Sequence, residues 1–180
     1  MRRILQRLTP DFSRNHFDLL GIPVSFRLEA PELERRYREL QTRVHPDRFA
    51  TGTDIERRLA MQWATRANEA YRTLRDPVAR ARYLLSLKGF DTGEESNTAM
   101  PADFLMQQME WREAAAEARA ERDARSLGRL REELDESSGE MLDQLERALD
   151  TGQHDAGCSL VRKLRFLEKL EEEIEEALEQ

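Results

Sequence analysis

The stretch "LERRYRELQTRVHPDRFATGTDIERRLAMQWATRANEAYRTL", Leu33 to Leu74, decides how this chain is read. Leu33, Tyr37, Leu40 and Val44 recur at steps of four, three and four, which makes one apolar stripe of an α-helix. Pro31 suits the first turn of that helix. Pro46 disfavours helical geometry at the residue before it, so the helix is expected to end near His45. Asp54 is expected to cap a second helix. Leu59, Ala60, Trp63, Ala64, Ala67, Ala70, Tyr71 and Leu74 share one side of that helix, and its alanines let a neighbouring helix approach closely. The pattern predicts an antiparallel helical hairpin joined by a loop over residues 45–53. Pro46 is expected to hold the loop extended and to turn the side chains of His45 and Asp47 apart.

Working outward, "HFDLLGIP" is a short apolar turn that stops at Gly21, with Pro23 two residues on. Asp76-Pro77 starts a further helix through "VARARYLLSLKGF". The polar run "DTGEESNTAMP", with Gly93 and Pro101, reads as a linker. Three more helices are expected at roughly 101–120, 122–149 and 154–179. Leu127, Leu130, Leu134, Leu142, Leu145 and Leu149 stripe the second of them. Leu160, Leu164, Leu167, Leu170, Ile174 and Leu178 stripe the third. Short breaks between long amphipathic helices predict an antiparallel three-helix bundle. The fold class is therefore all-α, with an N-terminal arm at 1–13, a first module at 14–90, a linker at 91–100 and a bundle at 101–180.

Composition agrees. Hydrophobic residues make up 39% and charged residues 36%, with 8 Gly and 6 Pro in 180 residues, which favours charged helices over strands. No apolar run approaches the roughly 18 residues of a membrane span, and no signal peptide is visible. One cysteine, Cys158, cannot form an intrachain disulfide, which suits a reducing compartment, and it reads as a small helix residue. Cys158, His16, His45 and His154 have spacings that match no zinc site. The net charge of −7 divides unevenly. Residues 1–90 hold 18 Lys+Arg against 11 Asp+Glu, and residues 91–180 hold 11 against 25. Such a division implies two modules with different partners. The arginines alternate with glutamates and show no aromatic stacking pattern, which argues against nucleic acid.

His45 and Asp47 are the ingredients of an acid–base pair. A general base needs a partner group, a pocket and a tuned pKa. The sequence supplies no nucleophile constellation and no Gly-rich phosphate loop around them. Their place in a hairpin loop, beside a helix bearing Arg35, Arg36, Arg38 and Arg43, favours presentation to another protein. Pro46 lowers the entropic cost of that presentation.

"HFDLLGIP", the Arg-bearing helix, "HPDRF" and "ANEAYRTLRDPVARARYLL" together resemble a J-domain. The resemblance implies recruitment of a DnaK-type chaperone and stimulation of its ATPase. It assigns chaperone binding to His45, Pro46, Asp47 and Arg48, with the helix carrying Arg35, Arg36, Arg38 and Arg43 as the recognition face. Arg48 stands where the family usually has Lys, so the charge is kept. The basic face is expected to steer an acidic partner and to lose strength with salt.

"YLLSLKGFD", "FLMQQMEWRE" and "VRKLRFLEKL" further resemble the HscB family, the J-proteins of iron–sulfur cluster assembly, over about residues 16–180. A helical wheel places Phe104, Trp111, Ala115 and Ala118 on one stripe. It gathers Leu105, Met106, Met109, Glu110, Glu113 and Glu117 on the roughly opposite side. Core packing does not explain apolar residues there, and Met is common on binding surfaces. Phe166 falls about 100° off its helix's leucine stripe. The resemblance makes these seven residues the site for the iron–sulfur scaffold protein. It implies an ATPase-stimulating co-chaperone with no cofactor and no catalytic site, neither membrane-bound nor nucleic-acid-binding, in the bacterial cytoplasm rather than a mitochondrial matrix. Two alternatives stay open: a J-protein serving another client, and a helical enzyme using His45 and Asp47.

Overall fold

The computed structural model describes residues 14–93 and 100–179. The arm at 1–13 and linker residues 94–99 lie outside the described residues. The described residues are helical with no strand. They belong to two compact units, Met1–Arg80 and Ala81–Gln180.

In the first unit, α1 (His16–Leu20) starts at Asn15, whose side chain accepts from the Asp18 N–H, and stops at Gly21 in the left-handed conformation. Gly adopts that conformation without a Cβ penalty. The hairpin helices are α2 (Ala30–Val44) and α3 (Asp54–Arg75). Leu33, Leu40 and Val44 are buried against Ala60, Trp63, Ala67, Ala70 and Leu74 of α3, with Phe17 and Leu20 of α1 in the same core. The interface also has a polar clasp. Tyr37 stacks on Tyr71 with ring centroids 4.2 Å apart, and its hydroxyl donates to Asn68 Oδ1 at 2.7 Å. Thr53, not Asp54, caps α3: its Oγ1 accepts from the Glu56 N–H, and Glu56 Oε2 accepts from the Thr53 N–H at 2.7 Å. This reciprocal pair satisfies two orphan donors, which a lone Asp54 cap could not do.

His16 is buried in the first unit, and burial lowers its pKa, with Glu69 opposing the shift and Arg66 adding to it. A lowered pKa means that the unfolded chain takes up a proton which the folded unit refuses. Both states are neutral above the unfolded pKa of about 6.5, so the penalty appears only as pH falls below it. The urea midpoint of the first unit is expected to drop between about pH 7 and 5.5, by no more than ~1.4 kcal/mol per pH unit from this group. Trp63 fluorescence in a Trp111→Phe background reads that unit, and His16→Gln should flatten the slope. An equal slope in both chains would refute the assignment.

The second unit takes in the end of α4 (Pro77–Leu87), then α5 (Ala102–Glu121), α6 (Ala124–Asp150) and α7 (His154–Leu178). The two units meet within α4, between Arg80 and Ala81, and the segment after α4 is held to α7. Phe90 stacks on His154 at 4.5 Å, and Arg162 Nη1 donates to the Thr92 carbonyl at 2.7 Å. Phe104, Trp111 and Ala118 of α5 meet Leu127, Leu130 and Leu134 of α6 and Leu167, Leu170 and Ile174 of α7 in one core. Leu178, at the end of its stripe, is exposed. Cys158 is buried, and burial pushes its thiol pKa up, which disfavours the reactive thiolate.

Candidate functional site

Two side-chain sets stand out, one in each unit. The first is built on the hairpin loop. His45 ends α2, and Pro46–Phe49 form one turn of 3₁₀-helix. That turn brings residues 45 and 47 together, so their side chains do not diverge as expected. The Asp47 N–H donates to His45 Nδ1 at 3.3 Å, and Asp47 Oδ2 lies 3.5 Å from the same nitrogen. The imidazole caps the turn. Extended geometry is confined to His45, and the chain curls back immediately after it. Both side chains remain open to solvent, at 53% and 90% exposure, so the pair sits on a surface rather than in a pocket.

The loop is braced from both helices. Arg48 Nη1 donates to the Thr42 carbonyl at 2.8 Å, back into the last turn of α2. From α3, Arg57 Nη1 donates to the carbonyls of Ala50 and Gly52 at 3.4 and 3.3 Å. A Cβ on Gly52 would lie 2.9 Å from Glu56 Oε2 and 3.1 Å from the Phe49 carbonyl oxygen, so a side chain there would crowd that carbonyl and push Glu56 off its Thr53 cap. Arg57 and Gly52 were not singled out from sequence. Their signal was local, a glycine and an arginine flanking a Thr-x-x-Glu cap.

The outer face of α2 is less positive than its arginines imply. Arg35 pairs with Glu32 and with Glu39, each at 2.6 Å. Arg36 Nε lies 2.8 Å from Glu32, and Arg38 pairs with Glu34. Hydrogen bonds from Arg35 and then Arg36 hold the Glu32 carboxyl at about 2, so Glu32 faces both guanidinium groups as a carboxylate at neutral pH. Arg43 instead donates to the Glu39 backbone carbonyl at 3.3 Å. The i,i+3 and i,i+4 spacing of these charges was readable in the sequence.

The second set lies on α5 and α7. Leu105, Met106 and Met109 are 43%, 64% and 63% exposed. Glu110, Glu113 and Glu117 are exposed on the same helix. Phe166 is half-buried, edge-on to Phe104 with centroids 6.1 Å apart, while the Arg112 guanidinium covers its ring at 5.1 Å. Arg112 follows Met109 by three residues, so Phe166 borders the exposed methionine face. The α5 helix thus buries one stripe and leaves a second apolar stripe without cover within its own unit. Among the described residues no cluster of His, Cys, Asp and Glu could hold a metal ion, and no helix is long and apolar enough to cross a membrane.

The helical hairpin presenting His-Pro-Asp and the helical bundle that follows it both have counterparts among known proteins. Residues 100–175 match the family described as the HSCB C-terminal oligomerisation domain. The chain is 52% identical to a co-chaperone HscB homologue of Burkholderia multivorans over 160 residues, covering 89% of this chain and 91% of that protein. The corresponding protein of Aromatoleum aromaticum is 50% identical, over 94% and 96% of the two chains. Among solved structures, the chaperone HscB from Vibrio cholerae superposes with a TM-score of 0.83 at 37% identity, covering 93% of this chain and 99% of that one. The human co-chaperone HscB gives 0.88 at 30% identity, covering 92% and 83%. The chain belongs to the HscB family of co-chaperones.

Proposed function

We infer that this co-chaperone stimulates the ATPase of a specialised DnaK-type chaperone and delivers the iron–sulfur scaffold protein to it, promoting cluster transfer to acceptor proteins. The observation that supports it is that each compact unit exposes its own distinctive side-chain set, a braced His45–Asp47 loop in one and the Leu105–Met106–Met109 face in the other. In this reading residues 14–90 are the J-domain, although Ala81 onward groups with the second compact unit, and 91–100 lead into the bundle at 101–180. His45, Pro46, Asp47 and Arg48, with Arg35, Arg36, Arg38 and Arg43, dock on the chaperone. Leu105, Met106, Met109, Glu110, Glu113, Glu117 and Phe166 hold the scaffold. The loop performs no chemistry of its own: its imidazole caps a turn on an open surface. The cluster is cargo of the scaffold, and the reaction takes place in the bacterial cytoplasm.

Calorimetric titration with the scaffold, beside a chaperone ATPase assay, tests the pairing. ATPase stimulation without scaffold binding would overturn the client assignment. A second reading comes from the matched family's description as an oligomerisation domain. The exposed Leu105, Met106 and Met109 face would then meet another copy, and concentration-dependent sedimentation would detect it.

A further inference from the structure

Three of the four guanidinium groups on α2 are occupied by carboxylates of the same helix before any partner arrives. Glu32 and Glu39 hold Arg35, Glu32 also holds Arg36, and Glu34 holds Arg38. The three carboxylates are 41%, 47% and 47% exposed, so they face the same solvent that an incoming surface would replace. Arg43 and Arg48, by contrast, donate to the backbone carbonyls of Glu39 and Thr42 rather than to carboxylates. The loop end of α2, beside His45, therefore carries two guanidinium groups not held by carboxylates, together with the exposed Asp47 carboxylate. The opposite end of the face is self-neutralised.

Exposed ion pairs contribute little to folding, so these glutamates have slight structural consequence. Their consequence for association is larger. An acidic surface approaching α2 must meet Glu32, Glu34 and Glu39 well within a Debye length, and like charges there oppose it. Discrimination between similar partners is commonly built from such repulsive elements. We propose that Glu32, Glu34 and Glu39 are specificity-determining residues that oppose docking by DnaK-type chaperones in general. They restrict docking to a chaperone whose acidic surface is answered by Arg43 and Arg48 at the loop end. This assignment rests on the chaperone-docking reading given above.

The test is the full chain carrying Glu32→Gln, Glu34→Gln and Glu39→Gln, assayed for stimulation of a general and of a specialised DnaK-type chaperone. At about 50 mM salt the apparent affinity for the general chaperone should rise about fivefold or more, and about 300 mM salt should remove most of the gain. The specialised chaperone should respond by less than about twofold. Adding His45→Gln must abolish the gain. A gain that survives it would be non-specific adhesion and would overturn the proposal, as would an unchanged or weakened response of the general chaperone. Circular dichroism verifies that α2 stays helical. Should the triple variant fray, Glu34→Gln alone, which releases only Arg38, must shift the general chaperone in the same direction. Failure of the unsubstituted chain to stimulate the specialised chaperone would instead overturn the docking reading itself.

Discussion

Stimulation of the chaperone ATPase is expected to fall at least about tenfold when His45 is replaced by Gln, an effect of about 1.4 kcal/mol or more on productive docking. The substitution keeps size and polarity but removes the ring that caps the 3₁₀ turn through Nδ1. His45 is half exposed and outside the core, so global stability should move by no more than about 0.5 kcal/mol. The loss would therefore report recognition rather than unfolding. Scaffold affinity, measured by titration on the same sample, should stay within about twofold, because its residues belong to the other unit. Stimulation equal to that of the unsubstituted chain would remove His45 from the interface. It would also reopen the reading of His45 and Asp47 as part of an enzyme.

Leu105→Ala combined with Phe166→Ala should weaken scaffold binding by about a hundredfold and leave chaperone stimulation in the absence of scaffold unchanged. Burying a leucine side chain at an interface is worth about 1.5–3 kcal/mol, and well-packed aromatic positions commonly contribute about 2 kcal/mol or more. The two changes differ in their side effects. Leu105 is exposed, so its truncation costs the fold little. Phe166 packs on Phe104 and lies under Arg112, so its loss also loosens the bundle core. Leu105→Ala alone is the cleaner probe, with an expected loss of about tenfold, and a thermal melt of the double variant separates destabilisation from lost contact. Unchanged titration by both variants would move the scaffold to a different surface. A parallel loss of stimulation without unfolding would contradict the division of labour between the units.

Where one periodic pattern dominated, the sequence was sufficient. Leu33, Leu40 and Val44 become the buried side of α2 with Tyr37 half-buried beside them, and Leu127, Leu130, Leu134, Leu167, Leu170 and Ile174 of the leucine stripes become the bundle core. The off-stripe position of Leu105, Met106 and Met109 was equally legible, because helix geometry alone puts them opposite Phe104 and Trp111. The loop was less so. The conformational bias before proline applies to His45 only, and nothing local signals that the next four residues wind into a 3₁₀ turn that folds the imidazole back onto Asp47. The charge balance of α2 lies in the spacing of its glutamates as much as in its arginines. Counting arginines suggested a basic face, whereas the Glu32, Glu34 and Glu39 spacing predicts that three of the arginines are internally paired. The salt sensitivity expected of docking is accordingly smaller at Arg35, Arg36 and Arg38, which carboxylates of the same helix already offset, than at Arg43 and Arg48.

A chaperone ATPase assay with this protein alone, with the scaffold alone and with both together decides whether the two units act as one delivery device. A chain that holds the chaperone through one unit and the scaffold through the other raises the scaffold's effective concentration at the chaperone. Stimulation by the pair should exceed the sum of the separate stimulations, and the excess should disappear with Leu105→Ala and Phe166→Ala. Stimulation by the pair that merely equals the sum, with both proteins shown to bind, would contradict such coupling.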